Sequence, residues 1–199
     1  MADDSVNLGR RRFLTATTAV VGGAGALVAA VPFIKAWNPS AKAKLAGQPI
    51  RADISKIRPG EQLQFEWRGQ PILVISRTPE ALAALPTIKD KLRDPDSENS
   101  DQQPSYAKNE NRSIKPEILV LVGICTHLGC APKYYPELEP QAFDSEWKGG
   151  FFCPCHKSRF DLAGRVFQGV PAPTNLVVPP YRFIDDGLIE IGVDTQGAA

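Results

Sequence analysis

The chain has 199 residues, and its 23 Lys and Arg against 22 Asp and Glu leave a formal net charge of +1. That balance gives no electrostatic footprint for nucleic acid, and the sequence holds neither a phosphate-binding glycine loop nor a nucleophile–base set. All four cysteines and both histidines fall inside two six-residue boxes.

In chain order, Phe13 to Ile34 carry no charged side chain. At 1.5 Å per residue this run forms a helix of about 33 Å, enough to cross a bilayer core. Gly22, Gly23, Gly25 and Pro32 moderate its hydrophobicity, but Gly and Pro are commoner in membrane helices than in soluble ones. The competing reading is a cleaved secretory signal, processed at Val28-Ala29-Ala30 or Ala41-Lys42-Ala43. A signal's apolar region covers only about 7–15 residues, so residues 13–35 are read as a retained anchor behind a tail of residues 1–12. Arg10, Arg11 and Arg12 before the span balance Lys35, Lys42 and Lys44 after it, so the positive-inside count is a tie. The run Arg10-Arg11-Arg12-Phe13-Leu14 resembles a twin-arginine export signal, with Gly9 and Thr15 departing from its usual flanks. Residues 36–49 contain Asn38, Pro39 and Ser40, lack an amphipathic pattern, and read as a linker.

From Ile50 the pattern is β. Ile50 to Ile54 alternate apolar and polar, as do Leu63, Phe65 and Trp67, and a turn at Arg68-Gly69-Gln70 leads into Pro71 to Ile75. Thr78-Pro79-Glu80 starts a helix, with Thr78 as cap and Pro79 in the first turn. Arg93 to Lys115 are polar and turn-rich and are predicted to be a surface excursion. Apolar strands at Glu117 to Val122 and Gly149 to Phe152 run into the first and second boxes. A hairpin is expected around Ala163-Gly164, followed by strands at Asn175 to Val178, Tyr181 to Ile184 and Leu188 to Ile191, the last two joined at Asp186-Gly187. Many short strands predict a mainly β, antiparallel sandwich or small barrel over residues 50–199, a span ample for one core.

The boxes are Cys125-Thr126-His127-Leu128-Gly129-Cys130 and Cys153-Pro154-Cys155-His156-Lys157-Ser158. Each can grip a metal with one sulfur and one imidazole, leaving one cysteine spare. Three readings compete: a tetrahedral zinc on two Cys and two His, a [2Fe–2S] cluster with thiolates on one iron and imidazoles on the other, or two disulfides with incidental histidines. The disulfide reading leaves the repeated Cys/His pairing unexplained. Zinc sites usually pair like ligands with like, whereas each box here mixes them.

These boxes resemble the Rieske iron–sulfur subunit of bacterial cytochrome bc complexes, the ubiquinol–cytochrome c reductases. Rieske domains of ring-hydroxylating dioxygenases resemble only half of the pattern, since they lack the extra cysteine in each box. Gly169-Val170-Pro171-Ala172-Pro173 resembles the family's proline-rich loop that shields the cluster. The resemblance implies a Rieske-type fold with a cluster-binding subdomain and one [2Fe–2S] cluster. It implies Cys125 and Cys153 as thiolate ligands, His127 and His156 as imidazole ligands, and a Cys130–Cys155 disulfide between the loops. His156 is then the quinol-facing ligand, Leu128 belongs to an apolar docking tip, and Ser158 offers its hydroxyl to a cluster sulfur. Phe160 stands where many members have a tyrosine donor, and Lys157 where a small residue is usual.

The implied function is one-electron, one-proton oxidation of quinol and delivery of the electron to a membrane-bound c-type cytochrome, coupled to proton translocation. The implied partners are cytochrome b and that c-type cytochrome, within a dimeric complex in the bacterial inner membrane, with residues 36–49 as a hinge. Export of a folded, cluster-bearing head places it on the periplasmic side, where a disulfide persists. The rival readings are the small Rieske subunit of another exported oxidoreductase, such as arsenite oxidase, and a zinc-stabilised exported binding module.

Overall fold

The computed structural model of the chain describes residues 7–40 and 47–193. The expected tail up to residue 6, linker residues 41–46 with the Ala41-Lys42-Ala43 processing alternative, and residues 194–199 lie outside the described residues. The chain divides into two units, Met1–Leu45 and Ala46–Ala199.

In the first unit the uncharged run forms a single helix, α1 (Leu8–Ala36). Asn7 caps it by accepting from the Arg10 N–H at 3.1 Å. Thr15 and Thr17 return their hydroxyls to the carbonyls of Arg11 and Phe13 at 2.9 Å each. Both polar groups are thus satisfied inside the helix, as an apolar surround requires. The helix is long and apolar enough to cross a membrane. The arginine triplet lies in its first turns rather than ahead of it, because the cap at Asn7 sets the start.

The second unit carries three antiparallel sheets of three strands among the described residues. One has the order β1 (Ile50–Asp53), β9 (Leu188–Ile191), β8 (Tyr181–Phe183). The next runs β2 (Gln62–Trp67), β3 (Gln70–Ser76), β4 (Ile118–Val122), and the third β5 (Lys133–Tyr135), β6 (Gly150–Phe152), β7 (Arg159–Phe160). The β2–β3 hairpin closes at Trp67 and Gln70 through Arg68 and Gly69, both at positive φ. That is the two-residue turn whose twist matches paired strands. Strand β4 is Ile-Leu-Val-Leu-Val and is buried on both faces, so it forms the spine of a core that takes in residues of all three sheets. Each of its five buried aliphatic side chains contributes about 1.5–3 kcal/mol of burial to the head.

Two expectations change. Asn175 to Val178 do not form a strand. Their backbone groups bond singly to separate partners: Leu176 N–H to Gly164, Val178 N–H to Gln102, and Val177 C=O from Val122 N–H, all at 2.8 Å. The apolar run there reflects burial of a loop rather than ladder pairing. The stretch 93–115 is also no mere surface excursion. Ser97, Gln103, Ala107, Arg112 and Ser113 are buried, because Arg112 turns inward and finds backbone carbonyls to bind.

The turn that follows the second box explains this. Arg77, Arg112, Arg165 and Asp161 are all buried. Arg77 donates to the carbonyls of Leu162 (3.1 Å), Asn111 (2.8 Å) and Pro116 (2.9 Å). Arg112 donates to Ala163 at 3.1 Å and to Gln103 Oε1 at 3.0 Å. Arg165 pairs with Asp161 at 2.7 Å. Three guanidinium groups thus clasp residues 161–165, tying 93–116 to the segment that carries the second box.

Candidate metal centre

The two boxes are built on the same hydrogen-bond frame. In the first, Cys125 N–H bonds Cys130 C=O at 2.8 Å, and Gly129 N–H bonds Cys125 C=O at 3.0 Å. In the second, Cys153 N–H bonds Ser158 C=O at 2.8 Å, and Lys157 N–H bonds Cys153 C=O at 2.9 Å. The fifth residue of each box is left-handed, Gly129 at φ 81° and Lys157 at φ 63°. Glycine meets that requirement freely, whereas an L-side chain costs about 1–2 kcal/mol there. Lys157 is exposed, so relief of this backbone strain in Lys157→Gly should stabilise the head by about 1 kcal/mol. Thermal unfolding of the full chain checks this, and an unchanged or lower midpoint would count against it.

Each frame presents one buried, unoxidised thiol, Cys125 and Cys153. Burial pushes the Cys125 thiol up; the His127 backbone N–H and the Ser158 hydroxyl, both donating to its sulfur, pull against this, while the hydrogen-bonded Cys153 thiol adds to it. A buried thiol that resists ionisation alone is one a bound cation deprotonates outright. The imidazoles of His127 and His156 meet edge to face, with ring centroids 4.7 Å apart. Cys130 and Cys155 are disulfide-bonded, joining the two boxes.

The structure therefore brings every predicted site residue together. Cys125 touches Cys153, His127 touches His156, and Ser158 touches Cys125. His156 and Cys155 are exposed, His127 is half-buried, and Leu128 is 70% exposed. An open groove of about 590 Å³ lies beside His156, walled by Phe143, Phe152, Val170 and Pro171. The donor set suits a [2Fe–2S] cluster with a sulfur side and a nitrogen side, and the spare cysteines are consumed by the crosslink rather than left as ligands.

Sequence reasoning missed what fastens the proline-rich loop. Ala172 N–H donates to Ser158 Oγ at 3.0 Å, and Thr126 Oγ1 donates to Thr174 C=O at 2.7 Å. One residue from each box thus holds Gly169 to Thr174, whose own Val170 and Ala172 are buried. Thr126 was visible only as the residue between two ligands. Behind the second box, Gly150 sits at φ 143°, where a Cβ would collide with Phe160 C=O.

Two family models match the chain: the Ubiquitinol-cytochrome C reductase Fe-S subunit TAT signal over residues 1–40 and the Rieske [2Fe-2S] domain over residues 98–182. The chain is 57% identical over 198 residues to the ubiquinol-cytochrome c reductase iron-sulfur subunit of Allochromatium vinosum, covering 100% of this chain and 95% of that one. It is 40% identical to the subunit of the same name from Blastochloris viridis, covering 96% and 97%. Among solved structures it is similar to a chain of "Hyperthermophilic respiratory Complex III", with 26% identity, a TM-score of 0.46 and coverage of 89% and 98%.

Proposed function

The chain belongs to the family of ubiquinol–cytochrome c reductase iron–sulfur subunits, and from that premise we propose that it carries electrons from quinol to a c-type cytochrome through one [2Fe–2S] cluster held by Cys125, His127, Cys153 and His156. The observation that carries this reading is the convergence of two buried thiols and two imidazoles on twin loops locked by a disulfide. Family membership over the full chain leaves no observation in favour of an arsenite-oxidase-type subunit or a zinc module.

The cluster, when bound, supplies a one-electron acceptor whose neutral imidazole ligands raise its potential above that of all-thiolate clusters. The residues do the rest. His156 is exposed, so its second ring nitrogen is open to a quinol hydroxyl and takes the proton that leaves with the electron. Leu128 gives the tip an apolar contact, and Ser158 donates to the Cys125 sulfur. Pro171 and Pro173 cap the site with rigid backbone that has no N–H to solvate.

Residues 1–12 then form the cytoplasmic tail, 13–35 the anchor, 36–49 a hinge and 50–199 the head. The head faces the periplasm from the inner membrane, where the disulfide persists. Cytochrome b and a membrane-bound c-type cytochrome are the partners, in a dimeric translocase whose turnover moves protons. Low-temperature EPR of the ascorbate-reduced membrane protein tests the reading. A rhombic signal of low average g, together with co-purifying b- and c-type haem, is expected; a silent preparation containing zinc would overturn it.

Phe160 is fully buried beside the second box, so a tyrosine hydroxyl there has no water to bond. By the family resemblance its acceptor is a ligand sulfur, and donation favours the more negative, reduced state. One bond of about 1 kcal/mol corresponds to roughly 40 mV for a one-electron couple. Phe160→Tyr should therefore raise the potential by roughly that amount in a redox titration; an equal or lower value sinks the account.

A further inference from the structure

The Sγ atoms of Cys130, Cys153 and Cys155 all lie within 4.8 Å of one another. Two of them form the crosslink, and the third is a free thiol. A thiolate held that close to a disulfide needs only to align with the sulfur–sulfur axis to exchange with it. Iron ligation would occupy that sulfur. We propose that in the chain without its cluster Cys153 attacks the Cys130–Cys155 bond, so that ligation of Cys153 is what preserves the crosslink. The inference rests on the assignment of Cys153 as a ligand.

The step balances without an added oxidant. The Cys153 thiolate forms a bond to Cys130 Sγ, the Cys130–Cys155 bond breaks, and its electron pair leaves on Cys155 Sγ, which takes a proton from water. Cys130 is the favoured target because its partner departs into solvent: Cys155 is exposed, whereas Cys130 is half-buried. A better-solvated leaving thiolate departs faster. Attack on Cys155 would instead close a ring around Pro154, whose φ is fixed. The Cys130–Cys153 product removes one thiolate from the ligand set. A chain that loses its cluster in an oxidising compartment thereby loses the ability to reload until it is reduced.

The test strips the detergent-solubilised full chain of iron with EDTA under argon at pH 8, quenches samples with N-ethylmaleimide over time, and maps disulfides by mass spectrometry. Loaded protein should yield only the Cys130–Cys155 peptide. Stripped protein should convert for the most part to Cys130–Cys153, with Cys155 alkylated. Retention of Cys130–Cys155 with Cys125 and Cys153 alkylated would overturn the proposal. So would products linked through Cys125, which mark scrambling of an unfolded chain. The Cys153→Ser variant should keep its crosslink under the same treatment, and alkylation of Cys155 there would also refute the route. Labelling of Cys153 in loaded protein with an intact EPR signal would overturn the ligand assignment and its protective role. Failure of exchange in the stripped chain alone leaves that assignment standing.

Discussion

Replacing Asp161 with alanine should lower the unfolding temperature of the head by roughly 10 °C. Asp161 is fully buried and is the sole buried carboxylate among the described residues, facing three buried guanidinium groups. Its Oδ1 accepts from the N–H of Ala163 at 2.9 Å and of Arg165 at 2.7 Å, and its Oδ2 accepts from Arg165 Nε at 2.7 Å. Burial already draws Arg77 and Arg112 down to about 10, and the Asp161 charge is the first influence opposing that fall in both. Arg77 and Arg112 stay protonated at neutral pH, so removing the carboxylate leaves buried cations with neutral hydrogen-bond partners alone. Breaking a buried pair by deleting one partner costs about 3–5 kcal/mol, and each kcal/mol is worth roughly 2–4 °C in a unit of this size. Asp161→Asn separates the causes. It keeps an oxygen for the two turn N–H groups but not the charge, so it should recover part of the loss. A midpoint shift of less than roughly 3 °C in Asp161→Ala would show that the carboxylate is not the counter-charge of the clasp.

That cluster also marks where the sequence stopped being legible. The ligand set could be read because cysteines and histidines are scarce and every one of them sits in two boxes. The strands could be read because β2, β3 and β4 alternate or run apolar in the usual periods. Arg77, Arg112 and Arg165 carry no such signal, since a charged residue in a polar stretch reads as solvated surface until its carbonyl partners are known. Those partners lie up to 85 residues away. Asn175 to Val178 misled for the converse reason. Two valines and a leucine look like a strand, but their backbone is held by single bonds to three separate segments. The short strand β5 went unseen because three residues hold no period.

Ser158→Ala should lower the cluster potential by roughly 40–130 mV and destabilise the proline-rich loop at the same time. Ser158 is fully buried, and its hydroxyl works in both directions. It donates to the Cys125 sulfur and accepts from the Ala172 N–H at 3.0 Å. Removing a donor to a charged sulfur costs the reduced state about 1–3 kcal/mol, which sets the range of the shift for a one-electron couple. The second loss leaves the Ala172 N–H unpaired in a buried place, for about 1–3 kcal/mol of stability. A potential that stays put while the midpoint falls would mean the hydroxyl serves the loop alone. Ser158→Thr keeps the donor, so its potential should stay near the parent's even where the extra methyl strains the packing. The sign is opposite to that expected for Phe160→Tyr. If the two hydroxyls address different sulfurs, the double variant should show the sum of the single shifts; a departure from additivity would place both donors on one sulfur.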